Sequence, residues 1–139
     1  MEGESQTIGK VSILNELFFQ MNNCPTIRID PPREERVERL LRDYAGFPVE
    51  ELQLSIEKIA KRLGGKDTHD TLEALSVGDF RKVVEITLDY YDKGYEFSMA
   101  RRETEMTEFE STSYHPETMA PELLEFVCAR FSAGVTNRD

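Results

Sequence analysis

Glu2, Glu4 and Ser5 place two carboxylates and a hydroxyl within four residues at the start of the chain. Such a cluster can hold a magnesium ion or a polar substrate at the end of a strand, although acidic residues near a terminus often do no more than sit in water. A second set is basic. Lys58, Lys61 and Arg62 lie on one helical face with few acids beside them, and Lys66 follows the Gly64-Gly65 turn, a pattern suited to phosphate and equally to a plain solvated surface. Arg33, Arg36, Arg39 and Arg42 recur every three residues and so drift around their helix. Glu35 to Arg39 and Glu38 to Arg42 are spaced for i,i+4 ion pairs, which predicts a salt-bridged, solvated face.

Other motifs fail on spacing or context. Gly9-Lys10 looks like the end of a phosphate-binding loop, but five residues separate Gly3 from Gly9 and Val11 stands where the magnesium-binding hydroxyl belongs. Gly64-Gly65-Lys66 follows a helical pattern rather than a strand. His69 and His115 have no cysteine or second histidine nearby, so neither suggests a metal site or a triad. Cys24 and Cys128 lack any C-x-x-C spacing and are expected to be core thiols. Tyr90, Tyr91 and Tyr95 put aromatics near the end of a helix, where stacking on a base is conceivable. Because Tyr91 and Tyr95 share the apolar stripe, packing is the expected role for both.

The elements that would position these groups alternate between helix and strand. Ser12 is placed to cap a helix carrying Ile13, Leu14, Leu17, Phe18 and Met21 at helical spacing. Pro25 to Asp30 favours a short strand that Asp30-Pro31-Pro32 stops. A helix from Pro32 buries Val37, Leu40, Leu41 and Tyr44, Ala45 to Pro48 breaks it, and the next helix carries Leu52, Ile56, Ile59, Ala60 and Leu63 to a Gly64-Gly65 cap. Thr68 or Asp70 starts a short helix through Leu75, and a long one follows with Phe80, Val83, Val84, Leu88, Tyr91 and Tyr95 inward. Residues 99–116 read as an edge strand or a mobile loop, with a strand favoured near 105–111. Pro121 then opens a helix with Leu123, Leu124, Val127, Cys128 and Phe131 inward, and residues 134–139 read as a frayed tail. The fold class is α/β and predominantly helical, with about five to six helices and one or two short strands in one domain, residues 1–139.

Charge narrows the partners. The net charge is −10 over 139 residues, yet residues 26–66 hold nine basic against eight acidic side chains, while residues 67–139 hold seven against sixteen. An acidic total opposes nonspecific nucleic-acid binding, so any RNA contact belongs to the middle third. No apolar run approaches the roughly 20 residues of a membrane span, and no signal segment opens the chain; the expected location is cytoplasmic.

Glu2-x-Glu4-Ser5-x-x-Ile8-Gly9, Glu35-Arg36-Val37-x-Arg39-Leu40-Leu41-x-x-Tyr44, Lys61-Arg62-Leu63-Gly64 and Tyr90-Tyr91-Asp92-x-x-Tyr95 occur in that order. Together, across residues 2–98, they resemble the carboxy-terminal half of the tRNA 2-selenouridine synthase family. The resemblance implies part of a P-loop NTPase-like domain, preceded in the family by a phosphate-binding loop and by a rhodanese-like domain with a reactive cysteine. It implies replacement of sulfur by selenium at the wobble 2-thiouridine of tRNA. Selenophosphate is then the selenium donor, and a geranylated thiouridine made from geranyl diphosphate is the intermediate. By position, Glu2, Glu4 and Ser5 become the catalytic cluster beside the phosphate-binding loop. Arg36, Arg39, Lys58, Lys61 and Arg62 become a basic, lid-like surface for diphosphate or tRNA.

The reactive cysteine and phosphate-binding loop of that family have no counterpart here, so the expectation is a segment that needs an amino-terminal partner for activity and holds no cofactor or metal of its own. Two other readings stay open. One is a noncatalytic helical interaction module; the other is a small self-contained enzyme using Glu2 and Glu4 as acid and base.

Overall fold

A computed structural model describes residues 6–8, 11–44 and 46–131. The backbone forms two compact units, a helical one built on Arg33–Arg102 and an α/β one built on Thr7–Pro32 with the chain from Glu103 onwards. The single domain expected over 1–139 is therefore described unit by unit.

Within the helical unit, α2 (Arg33–Tyr44) begins one residue after Pro32, and three more helices complete the run: α3 (Val49–Leu63), α4 (Gly65–Ser76) and α5 (Phe80–Ala100). Gly64 ends α3 at φ 95°, where a side chain would be strained. Helix α4 starts at once, three residues before Thr68. Thr68 works inside its first turn instead, its amide and hydroxyl both donating to the Gly64 carbonyl at 3.0 and 2.7 Å. Asp79 caps α5 by accepting from the Lys82 amide at 3.1 Å, the side-chain cap that a long helix favours.

Helix α5 carries two cores on adjacent stripes. Val83 packs with Ile56, Leu63, Ala74 and Leu75 of α3 and α4, while Val84 and Leu88 close over Val37 of α2. Val37 is 1% exposed, which makes it the pivot of the α2 contact. Thr71 is fully buried beside the first core and spends its hydroxyl on the Asp67 carbonyl at 2.5 Å, so it costs no unsatisfied donor.

Ion pairs bind α2 to α5 at the surface. Arg33 meets Asp89 at 2.5 Å, Arg36 meets Asp92 through both nitrogens of its fork, and Arg81 reaches Glu34 and Glu38. The expected pairs Glu35 to Arg39 and Glu38 to Arg42 do not form. Glu38 is taken by Arg81, and Arg39 turns to Asp43 at 3.9 Å.

In the α/β unit, β1 (Thr7–Ile8) and β2 (Val11–Ser12) pair antiparallel. Ser12 sits opposite Thr7, so it belongs to a strand and does not cap α1 (Asn15–Asn22), whose first flanking residue is Leu14. β3 (Thr26–Ile29) pairs in parallel with β4 (Met106–Phe109), Thr26 opposite Met106 and Ile29 opposite Phe109. The last helix, α6 (Pro116–Phe131), opens at Pro116 rather than Pro121. A first-turn proline loses nothing, whereas Pro121 inside the helix forgoes a bond to the carbonyl four residues back.

The inward stripe of α6 also differs from expectation. Met119, Glu122, Leu123, Phe126 and Val127 are the less exposed positions, while Leu124, Cys128 and Phe131 face outward. Phe126 packs on Phe109 with ring centroids 5.2 Å apart. Glu122 interrupts the apolar spacing because it accepts from the Ser111 hydroxyl at 2.5 Å, the Thr112 hydroxyl and the Thr112 amide at 3.1 Å. Cys24 and Cys128 are exposed and free, so neither is a core thiol. Among the described residues no helix is long and apolar enough to cross a membrane.

A groove between three helices as the candidate site

Where the two cores of α5 diverge, a groove of about 360 Å³ opens between α2, α3 and α5. Helical spacing makes its walls. Leu40, Leu41 and Tyr44 come from α2, Leu52, Ser55, Ile56 and Ile59 from α3, and α5 supplies a stripe from Phe80 to Tyr91. The volume falls in the range of about 300–1,000 Å³ typical of small-ligand sites.

The lining stays apolar because its hydroxyls are occupied. Ser55 donates to the Glu51 carbonyl at 2.9 Å, and Thr87 to the Val83 and Val84 carbonyls at 2.8 and 3.1 Å. What remains toward the groove is hydrocarbon. Tyr44 and Tyr91 bring phenols to the lining, and Arg62 follows the lining residue Ile59 by three positions on α3. Burial pushes the Tyr91 phenol up from its ordinary value, Tyr90 and Tyr44 add to the rise, and Arg62 opposes it. Tyr91 is nonetheless 49% exposed and Tyr95 is exposed, so the expectation that both pack in the core is corrected.

The structure separates the basic residues singled out in the sequence. Arg36 and Arg39 are engaged by Asp92 and Asp43. Lys58, Lys61 and Arg62 are exposed and make no ion pair among the described residues. Arg62 continues the Ser55–Ile59 stripe by one turn, which brings its charge to the end of the groove. Glu2, Glu4 and Ser5 lie outside the described residues, as do Gly9, Lys10 and the tail at 134–139.

Sequence reading missed the groove, since it is the space left between three amphipathic faces and no residue pattern encodes a gap. It also missed a small acidic group: His69, Asp70 and Glu73 bring ligand atoms within 4.8 Å of one another on α4. Cysteine and histidine spacing does not reveal it, because two of its three candidate ligands are carboxylates.

An apolar groove between three helices, in a chain that also carries an α/β unit, is the candidate small-ligand site. The family model for the tRNA 2-selenouridine synthase AAA domain matches residues 1–120. The chain belongs to that family. It is similar to the tRNA 2-selenouridine synthase of Pseudomonas syringae pv. tomato, 30% identical with 84% of this chain and 41% of the relative covered. It is similar also to that of Pseudomonas aeruginosa strain LESB58, 31% identical over 74% of this chain and 36% of the relative. The enzyme of the same name from Bordetella petrii is 35% identical over 48% of this chain and 22% of its own length. The matched segment thus spans between 22 and 41% of these three curated relatives. No solved structure matches the chain.

Proposed function

We propose that this chain is the carboxy-terminal segment of a cytoplasmic tRNA-modifying selenotransferase that converts wobble 2-thiouridine to 2-selenouridine through a geranylated intermediate. In this reading it acts together with an amino-terminal part carrying the rhodanese-like cysteine and the phosphate-binding loop. The observation that carries the proposal is the apolar groove between α2, α3 and α5, with Lys58, Lys61 and Arg62 exposed on α3, in a chain of this family.

Geranyl diphosphate joins a hydrocarbon to a diphosphate, and the groove offers each part its own surroundings. The chain would lie among Leu40, Leu52, Ile59 and Val84, out of water, where each buried methylene gains about 0.8 kcal/mol. The diphosphate would lie toward Arg62, with Lys58 and Lys61 on the same helix. As the carbon–sulfur bond to thiouridine forms, the carbon–oxygen bond to diphosphate breaks. A cation at that end stabilises the charge gathering on the leaving group. The selenium of selenophosphate then attacks C2 of the base, the C2–sulfur bond breaks to release geranylthiol, and water takes the phosphoryl group from selenium as phosphate. Glu2, Glu4 and Ser5 are proposed as the catalytic cluster that accompanies the family's phosphate-binding loop, and Arg36 and Arg39 as part of a basic surface for diphosphate or tRNA.

The test is reconstitution. This chain is mixed with a separately expressed amino-terminal part of a relative, thiolated tRNA, geranyl diphosphate and selenophosphate, and the tRNA nucleosides are read by mass spectrometry. Formation of geranylated thiouridine and 2-selenouridine supports the proposal. A folded chain that forms neither product nor complex contradicts it and favours a noncatalytic interaction module.

A further inference from the structure

The mouth of the groove is more aromatic than a hydrocarbon site requires. Tyr44 and Phe47 lean together with ring centroids 5.5 Å apart, and Tyr90 meets Tyr91 edge-on at 5.0 Å. Tyr44, Phe47 and Tyr91 are 44, 49 and 49% exposed. Tyr44 and Tyr91 both line the groove, and Arg62 follows the lining residue Ile59 by three positions on α3. Half-exposed aromatic faces cost solvation unless something flat covers them. In a chain of net charge −10, the basic residues Lys58, Lys61 and Arg62 stand beside this rim with no ion pair among the described residues.

We infer that Tyr91, which lines the groove together with Tyr44, is a stacking platform for one unstacked nucleobase of single-stranded RNA, whose neighbouring phosphate meets the basic face of α3 that carries Lys58, Lys61 and Arg62. The inference rests on the proposal that the protein acts on RNA and adds the residues that hold the base. Aromatic faces give the affinity for a base of any identity, and Arg62 supplies the charge a phosphate needs. An acidic peptide would find the cations but no use for the open ring faces, and an apolar one would leave the three cations unmatched.

The test uses this chain and a short oligoribonucleotide containing 2-aminopurine, whose fluorescence is quenched on stacking. The unmodified protein should bind and quench it. Tyr91→Ala should weaken binding by about 5- to 150-fold, from roughly 1–3 kcal/mol per stacked base, and abolish the quench. Tyr91→Phe, which keeps the ring, should bind within about twofold of the unmodified protein. Arg62→Ala should lower the slope of log affinity against log salt by about 0.7, one phosphate contact on a single strand. Binding that Tyr91→Ala leaves unchanged overturns the platform while leaving the RNA reading intact. Tyr91→Phe as weak as Tyr91→Ala also overturns it, because the hydroxyl and not the face would then be responsible. Displacement of the oligonucleotide by an acidic peptide of equal charge overturns it in favour of a protein partner. No binding at all by the unmodified protein at low salt overturns the RNA reading itself.

Discussion

Arg36 and Asp92 meet fork to fork, one contact at 3.1 Å, with about a quarter of each side chain exposed. Removing the guanidinium leaves a carboxylate that is about three-quarters out of water without its partner. Arg36→Ala should therefore cost about 1–2 kcal/mol, between the worth of an exposed pair and that of a buried one, read from urea unfolding. Glu122 makes a pH prediction. Hydrogen bonds from Ser111 first, then Thr112, hold its carboxyl below the usual value. A folded-state value below the unfolded one, about 4.3, means that the contribution is complete above that pH. It is lost as pH falls through the folded value. A carboxyl-carbon titration should place the Glu122 midpoint below those of the exposed glutamates, and Glu122→Gln should remove the corresponding loosening of Thr112 in acid. A midpoint at or above the ordinary value would contradict the assigned bonds.

Helices were legible as far as a single element determines them. The apolar spacing of α3 and α5 and the β-branched run Thr26–Ile29 sufficed to place both helices and β3, because period and propensity are local. Partners were not local. β4 lies about 80 residues from β3, and nothing in Met106–Phe109 names Thr26–Ile29 as its neighbour. The arginines of α2 chose carboxylates on α5 over those one turn away, since a tertiary contact brings a second helix within the same reach. Pro116 and Pro121 both look like helix openings, and only the stripe through Met119, Glu122 and Phe126 separates them. Tyr91 was read as core because its helix is periodic there; periodicity predicts a face and says nothing of whether a partner covers it. The α2 contact gives the element-scale prediction. Val37 is the buried centre of its own cluster with Val84 and Leu88. Val37→Ala should destabilise the helical unit by about 1–3 kcal/mol and loosen the wall that Leu40 and Leu41 lend to the groove. The check is chemical denaturation together with amide exchange along α2. A change confined to α3 and α4 would contradict the two-core arrangement.

Over the whole chain, the charge surplus is acidic while Lys58, Lys61 and Arg62 remain exposed without ion pairs among the described residues. Such a contrast favours an oriented approach by a polyanion, with the acidic remainder turning away nonspecific contacts. Under the proposed function, the groove holds the hydrocarbon and the exposed cations of α3 meet the diphosphate. The chemistry is expected from the combined segments rather than from this one. The most direct measurement is mass-spectrometric detection of geranylated thiouridine and 2-selenouridine in the reconstituted reaction, with the unmodified chain and with Ile59→Trp, which fills the groove. The account predicts both nucleosides with the unmodified chain and loss of both with Ile59→Trp, tRNA binding being retained. Equal product from the filled groove would contradict it.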